Sequence, residues 1–276
     1  MKGPTTRLTR WALHAALGAL AAFSLLPLLW MVSASFMPAG AASTYPPPWW
    51  PSAPTLEHYR HLWVEGHIGQ AFFNSLGVAS ASTVLSVTLN AAAGYAFAKL
   101  KFPGRATLFA LLLAALVIPG QVAMLPLFLM LKALGWVNTW AGVLVPGLAS
   151  IFGIFLIRQY ALGIPDELIE AARIDGAGEF RIFATVILPL MKPVLVTLAV
   201  LTFLGCWNDF MWPLIVLTDS DLHTLPLALA SLSREHVQDV EMMMAGAVIT
   251  VVPVLLLFLA LQRYYLQGLL LGGVKG

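Results

Sequence analysis

The sequence predicts an all-α polytopic membrane protein with six transmembrane helices, and three observations predict it. Hydrophobic residues make up 59% of the chain and charged residues 10%, with a mean hydropathy of +0.85, whereas soluble domains carry about 25% charged residues. Six apolar runs are long enough to cross about 30 Å of hydrocarbon, where such a run satisfies its backbone hydrogen bonds only as a helix. Lysine and arginine are also distributed unevenly between the loops. The runs are approximately Trp11–Met31, Phe72–Phe97, Thr107–Leu131, Trp140–Ile157, Val186–Trp207 and Met243–Gln262.

The first apolar run resembles a signal peptide at its start, because it follows Lys2, Arg7 and Arg10. It is nevertheless longer than the roughly 7–15 apolar residues of a signal peptide, and no clean small-x-small cleavage site follows it. We therefore expect a retained first span.

The positions of lysine and arginine predict the orientation of the chain. When six spans are threaded from a cytoplasmic N-terminus, 12 of the 15 basic residues fall inside, and only Arg60, Lys132 and Arg234 fall outside. Basic loops remain in the cytoplasm, so both termini are expected there. The net charge of +2 then reflects topology and does not indicate nucleic acid binding.

Neither a disulfide nor a metal site is expected. Cys206 is the only cysteine of the chain, so no internal disulfide can form. His58, His61 and His67 follow each other in the first external loop, but no acid or cysteine completes a ligand set at helical spacing. These histidines are interpreted as solvated surface residues.

The near absence of ionisable groups from the apolar runs excludes several classes of transporter. Only His14 and Lys192 lie within them, whereas ion-driven carriers usually keep an acid in the membrane and channels usually show a charged ring. None of the six lysines precedes a serine or threonine, so the chain has no phosphate-binding P-loop. The sequence therefore predicts a non-catalytic subunit that takes its energy from another chain.

The second run carries a stripe of small and hydroxyl side chains on one helical face. Such a stripe lets neighbouring membrane helices approach closely, and two interpretations remain open: helix packing, or one wall of a translocation path to which Asn90 contributes. The stripe comprises Ser75, Ala79, Ser82, Ser86, Asn90 and Ala93.

A quarter of all charged residues lie in one short segment, "DELIEAARIDGAGEFR", which we call the charged stretch (Asp166–Arg181). Pro165 suits the first turn of a helix, and Asp166 and Glu167 complement its N-terminus. Gly176 and Gly178 break that helix, and a second helix then begins. So small a unit does not fold alone. It is either a solvated connector or a rigid peg for a cytoplasmic partner. On the first helix, Leu168, Ile169 and Ala172 form an apolar side, and Glu170 is spaced to pair with Arg173.

The segment "EAARIDGAGEFRIFATVILP" (Glu170–Pro189) resembles the EAA signature of binding-protein-dependent ABC importer permeases. That signature is E-A-A, three residues, G, nine residues and I-x-L-P, and only Val186 departs from it. The likeness extends over nearly the whole chain and points to the carbohydrate branch, to the smaller permease subunits of maltose-type transporters. Its further segments are "FPGR" (102–105), "IPGQV" (118–122), "FGIFLIRQY" (152–160), "GCWNDFMWPLIVL" (205–217) and "GGVKG" (272–276).

The resemblance implies a type I ABC importer (MetI-like) transmembrane fold in the inner membrane of a prokaryote. It implies a second permease subunit, two ATPase subunits that bind ATP and Mg²⁺, and an external solute-binding protein. In the chain it implies a first span and external loop (1–70), a core (71–263) with a coupling loop (162–186), and a cytoplasmic tail (264–276). The coupling helix would use Glu170, Ala171, Ala172, Arg173, Asp175 and Gly176, and the tail residues Gly273 and Lys275 would reach the ATPases.

The substrate implied by the resemblance is an oligosaccharide, with a polyol or glycerol phosphate as the alternative. Asn208 and Asp209, near the outer end of the fifth run, either meet the sugar or the binding protein, or cap the end of a helix. Two further hypotheses belong to other classes: a stand-alone secondary carrier or channel, and a membrane scaffold.

Overall fold

The regular secondary structure of the described residues is all helical, without β-strands, as the sequence predicts. A computed structural model describes residues 7–64, 66–235 and 239–273. The helices are α1 (Arg7–Ala34), α2 (Glu57–Val64), α3 (Ile68–Lys99), α4 (Arg105–Ala115), α5 (Gly120–Ala133), α6 (Trp140–Leu144), α7 (Ile151–Leu162), α8 (Asp166–Ile174), α9 (Glu179–Ile182), α10 (Leu188–Leu190), α11 (Lys192–Trp207), α12 (Met211–Val216), α13 (Leu225–Glu235) and α14 (Val240–Gly273).

Only three of the six apolar runs form one continuous helix. Within the described residues, three helices are long and apolar enough to cross a membrane: Thr9–Ala34, Ile68–Lys99 and Val240–Gln262. The other three runs are bent pairs, which raises the number of spans to six if each pair crosses as a unit. The bends measure 102° between α4 and α5, 40° between Trp140–Gly147 and α7, and 80° between Glu179–Leu190 and α11.

Proline accounts for the position of each bend, because it lacks the N–H that would bond the carbonyl four residues earlier. Pro119 immediately precedes α5 and disfavours helical backbone at Ile118. Pro146 ends the first half of the second bent pair. In the third pair Pro193 lies four residues after Pro189. Because Pro193 has no N–H, the carbonyl of Pro189 has no helical donor, and the break at Met191 lies next to it.

The break after Pro146 leaves the carbonyl of Gly142 without its helical partner. The indole Nε1 of Trp212 donates to that carbonyl at 3.1 Å. A freed carbonyl in a membrane protein has to find a donor within the protein, and α12 supplies one here.

The chain divides into two units, of which the first comprises Met1–Gly69 and Leu229–Val252. Its small core is formed by Ala34, Met37 and Ala42. The carboxylate of Glu241, which is fully buried, accepts a hydrogen bond from the backbone N–H of Ala42 at 2.6 Å. This bond ties the segment after α1 to the first turn of α14.

The interpretation of the loop histidines as solvated surface residues is wrong for His58. Its ring is buried, its Nε2 lies 2.9 Å from the carbonyl oxygen of Met37, and its Nδ1 lies 3.9 Å from Oδ1 of Asp239. His58 is the second residue of α2, and this short helix turns it toward the core. His67 is exposed, as the sequence predicts.

The second unit comprises Gln70–Ala228 and Pro253–Gly276, and its main core joins α3, α7, α8, α9 and α11. Ile169 of the charged stretch, which is 3% exposed, lies there with Ile157 of α7 and Ile182 of α9, so the charged stretch is built into the same core as the membrane helices. The cluster consists of Ala91, Tyr95, Ala98, Ile157, Ala161, Ile164, Ile169, Ile182, Ile187, Met191, Val194 and Leu198.

A glycine permits the closest approach between α3 and α7. A Cβ atom at Gly94 would lie 2.6 Å from Cβ and Cγ2 of Ile157 and 3.0 Å from the backbone N of Arg158. Small residues allow membrane helices to pack at such distances. The contact therefore fixes the separation of the two helices.

Gly94→Ala is expected to destabilise the protein, because neither the branched Ile157 side chain nor the α7 backbone can move without disturbing the core. Overpacking of this kind costs about 1–3 kcal/mol. Thermal unfolding of the purified chain in detergent or nanodiscs measures the change. The matched control is Gly77→Ala on the same helix, where a Cβ meets no atom within 4 Å; equal melting temperatures for the two variants would contradict the prediction.

Candidate functional site

The first helix of the charged stretch begins immediately after Pro165, which precedes the first helical turn instead of lying within it. Lys99, the last residue of α3, holds this start in place. Its ammonium donates to the carbonyl of Ile164 at 2.5 Å and to Oδ1 of Asp166 at 2.6 Å. The bond from Lys99 holds the pKa of Asp166 below its usual value. The start of α8 is therefore fixed to the end of a membrane helix.

Gly176 ends α8 as the sequence predicts, and the geometry explains why glycine is needed. Its φ is +80°, in the left-handed region that costs other residues free energy. Its N–H donates to the carbonyl of Arg173, and the N–H of Ala177 donates to the carbonyl of Ala172, both at 3.0 Å. These two bonds are those of a Schellman motif.

An ion pair closes the turn between α8 and α9. Nε of Arg173 donates to Oε1 of Glu179 at 2.7 Å, and the hydroxyl of Tyr95 on α3 donates to Oε2 of the same carboxylate at 3.2 Å. Arg173 thus pairs across the turn, and not with Glu170 as its helical spacing suggests. Both ends of the turn are connected to α3 through this carboxylate.

The charged stretch buries one apolar face and exposes another. Ile169 is only 3% exposed, whereas Ile174 is 86% and Phe180 83% exposed. Five residues correspond to about 140° of helix rotation, so Ile174 faces away from the core that holds Ile169. Leu168, predicted on the buried side, is 44% exposed.

The exposed surface of the stretch combines these apolar side chains with acidic ones. Glu170, Ala171 and Asp175 are exposed on α8, and Ala172 packs against the core. The sequence predicts all four of these residues for the coupling helix, but it does not predict Ile174 or Phe180. The signal that identifies Ile174 is helical periodicity, since it lies opposite Ile169, the buried residue of α8.

Asn90 lies fully buried at the break between α6 and α7. Its Nδ2 donates to Oγ of Ser86 at 2.8 Å and to the carbonyl of Leu148 at 3.3 Å, and its Oδ1 accepts from the N–H of Ser150 at 3.1 Å. All polar groups of the side chain are used within the chain. The structure thus gives Asn90 a role in helix packing, and a contact with a translocation path stays a prediction.

The two polar residues after α11 make local helix-end contacts. Asn208 is exposed and its Nδ2 donates to the carbonyl of Leu204 at 2.8 Å. Oδ1 of Asp209 accepts from the N–H of Trp212 at 3.2 Å, and burial raises the pKa of Asp209 above its usual value. A contact of either residue with a sugar or a binding protein stays a prediction.

Of the two tail residues, Gly273 is the last residue of α14 and Lys275 lies outside the described residues. Their predicted contact with an ATPase is therefore untested.

Comparison with known proteins identifies relatives of the whole chain. The family model described as "Binding-protein-dependent transport system inner membrane component" matches residues 90–270. The chain is 39% identical to the arabinooligosaccharides transport system permease protein AraQ of Halalkalibacterium halodurans, over 100% of both chains. It is 34% identical to the diacetylchitobiose uptake system permease protein NgcG of Streptomyces coelicolor, over 91% of this chain and 84% of that protein.

The fold is also found in a solved structure. It is a bacterial ABC transporter involved in the import of the acidic polysaccharide alginate, with a TM-score of 0.84 and 22% identity over 96% of this chain and 99% of that one. Together these matches confirm the resemblance and the permease fold predicted from the signature.

Gly176→Ala is expected to loosen the turn, because a side chain in the left-handed conformation costs about 1 kcal/mol. This cost raises the population of the locally opened state roughly fivefold. Hydrogen–deuterium exchange at residues 175–177 of the full chain measures this change. Gly178→Ala is the matched control, since Gly178 has φ −73° and its Cβ would meet no atom within 4 Å. Identical exchange in both variants would show that the left-handed conformation does not hold the turn.

Proposed function

The chain belongs to the family of binding-protein-dependent transport system inner membrane components, and on this premise we propose that it is one of two permease subunits of an ATP-driven oligosaccharide importer. The proposal that the substrate is an oligosaccharide rests on relatives named for the transport of arabinooligosaccharides and diacetylchitobiose. The chain contributes half of the translocation pathway and carries no catalytic group. A solute-binding protein delivers the sugar at the outer face.

The observation that carries the coupling role is the pair of exposed apolar side chains, Ile174 and Phe180, on a stretch whose opposite side is buried. Exposed apolar side chains that are surrounded by polar residues are typical of a surface that binds another protein. We therefore assign α8 and the turn at Gly176 as the surface that docks on an ATPase subunit. ATP and Mg²⁺ bind to that partner, and two ATPases serve two permeases.

The position of the partner follows from the orientation predicted by the basic residues. Both termini and the charged stretch face the cytoplasm of a prokaryote, and the chain resides in the inner membrane. ATP-driven closure of the two ATPases then pulls on α8. Because Ile169 of α8 and Ile182 of α9 lie in the core that contains α7 and α11, this movement passes directly to membrane helices.

Purification of the tagged full chain from its native membrane in mild detergent tests the proposal. A P-loop ATPase and a second polytopic permease in the eluate would support it. A chain that purifies alone, even after cross-linking, and that transports a solute in liposomes without ATP would establish the secondary carrier instead.

Ile174→Ala and Phe180→Ala are expected to weaken retention of the ATPase, since truncating an interface anchor costs about 2 kcal/mol, or roughly thirtyfold in affinity. The amount of ATPase that co-purifies with each variant measures the effect. Leu108→Ala is the matched control, because Leu108 is also an exposed apolar residue, 49% accessible in α4, but lies outside the coupling loop. An equal loss in all three variants would argue against a docking role.

A further inference from the structure

A polar cavity lies next to α8 in the second unit. It has a volume of about 440 Å³ and is lined by Lys99, Leu100, Lys101, Phe102, Arg173 and Glu179. Three of these six side chains are cationic and one is acidic. The turn between α3 and α4 thus forms one wall of the cavity, and the two residues that close the Gly176 turn form the other.

The carboxylate of this cavity is largely occupied, whereas several donors remain. Both oxygens of Glu179 accept hydrogen bonds, one from Arg173 and one from Tyr95. Arg173 has five N–H donors, and Nε and Nη2 face Glu179. The described part of the chain provides no hydrogen bond or ion pair to Lys101, which is exposed. A cavity with more spare donors than spare acceptors fits an anion.

The charges of the cavity wall favour an anion of low charge. The three cations of the wall stand against Glu179 and against Asp166, which pairs with Lys99 at 2.6 Å, so 3 − 2 leaves a surplus of one positive charge. A phosphodiester carries one negative charge at neutral pH. It therefore neutralises the surplus, and it accepts several hydrogen bonds at the same time.

The location of the cavity indicates the source of the phosphate. Lys99 ends α3 and Arg105 begins α4, and both helices belong to candidate membrane spans. Lys101 and Phe102 therefore lie where a span ends and lipid headgroups begin. Basic pockets at the cytoplasmic ends of membrane helices bind anionic headgroups, and Leu100 and Phe102 add an apolar surface for the adjoining glycerol and acyl groups.

We propose that this cavity is a binding site for the phosphate group of an anionic lipid, with Lys101 and Arg173 as its ligands. The bound phosphate joins the α3–α4 turn to the charged stretch and holds Arg173 beside Glu179. The binding itself does not depend on the proposed function. Its consequence does: in the importer, coupling becomes sensitive to the anionic lipid content of the membrane.

Native mass spectrometry of the full chain, released from nanodiscs of mixed phosphatidylglycerol and phosphatidylcholine, tests the site. Wild type is expected to retain phosphatidylglycerol preferentially. Lys101→Gln should lower that preference about fivefold, as expected for one basic residue at an anionic headgroup, and Lys101→Arg should preserve it. Arg181→Gln is the matched control, because Arg181 is an exposed base of the charged stretch outside the cavity, and it should bind as wild type.

Two further arms identify the occupant. If inorganic phosphate displaces phosphatidylglycerol from wild type, the site recognises the phosphate group and also accepts it from a soluble source. If inorganic phosphate does not displace the lipid, the lipid is the source of the phosphate. Equal retention of both lipids, or equal losses in Lys101→Gln and Arg181→Gln, would overturn the site. Loss of the lipid on addition of the ATPase would assign the cavity to that partner. A chain that binds the lipid but recruits no ATPase would contradict only the proposed function.

Discussion

The burial of Ile169 is the contact on which the position of the charged stretch depends, because a nine-residue helix does not keep its shape alone in water. Ile169 lies in the cluster that contains Ile157 of α7 and Leu198 of α11. The free energy that packs the membrane helices therefore also holds α8. A force on α8 must move α7 and α11 or break this core, and breaking the core is the more costly outcome.

Interrupted helices impose a second constraint, since every freed backbone group in a membrane needs a partner inside the protein. Side chains from two other helices form hydrogen bonds with the backbone groups that are freed at the break between α6 and α7. Asn90 of α3 bonds the carbonyl of Leu148 and the N–H of Ser150, and Trp212 of α12 bonds the carbonyl of Gly142. These donors and acceptors give the break a defined geometry, which explains why a polar residue lies fully buried in the middle of α3.

Local signals in the sequence predicted much of this architecture. The six apolar runs correspond to three long helices and three bent pairs, and glycine predicted the end of α8 because Gly176 adopts a conformation that other residues avoid. The size of the bends was not predictable, since proline marks where a helix breaks but packing sets the angle. The burial of His58 and the pairing of Arg173 with Glu179 were missed for a similar reason: both depend on residues brought close only by the folded chain.

Five of the seven charges of the stretch divide into two groups with different roles. Asp166 pairs with Lys99 and Arg173 with Glu179, and these pairs fix the shape of the segment. The described part of the chain offers no ion pair to Glu170 or Asp175. Burying such carboxylates without a cation would be costly, so a partner that covers this surface must surround an apolar pocket with basic groups. Affinity then comes from the exposed apolar side chains, and the acidic rim selects which partner can approach.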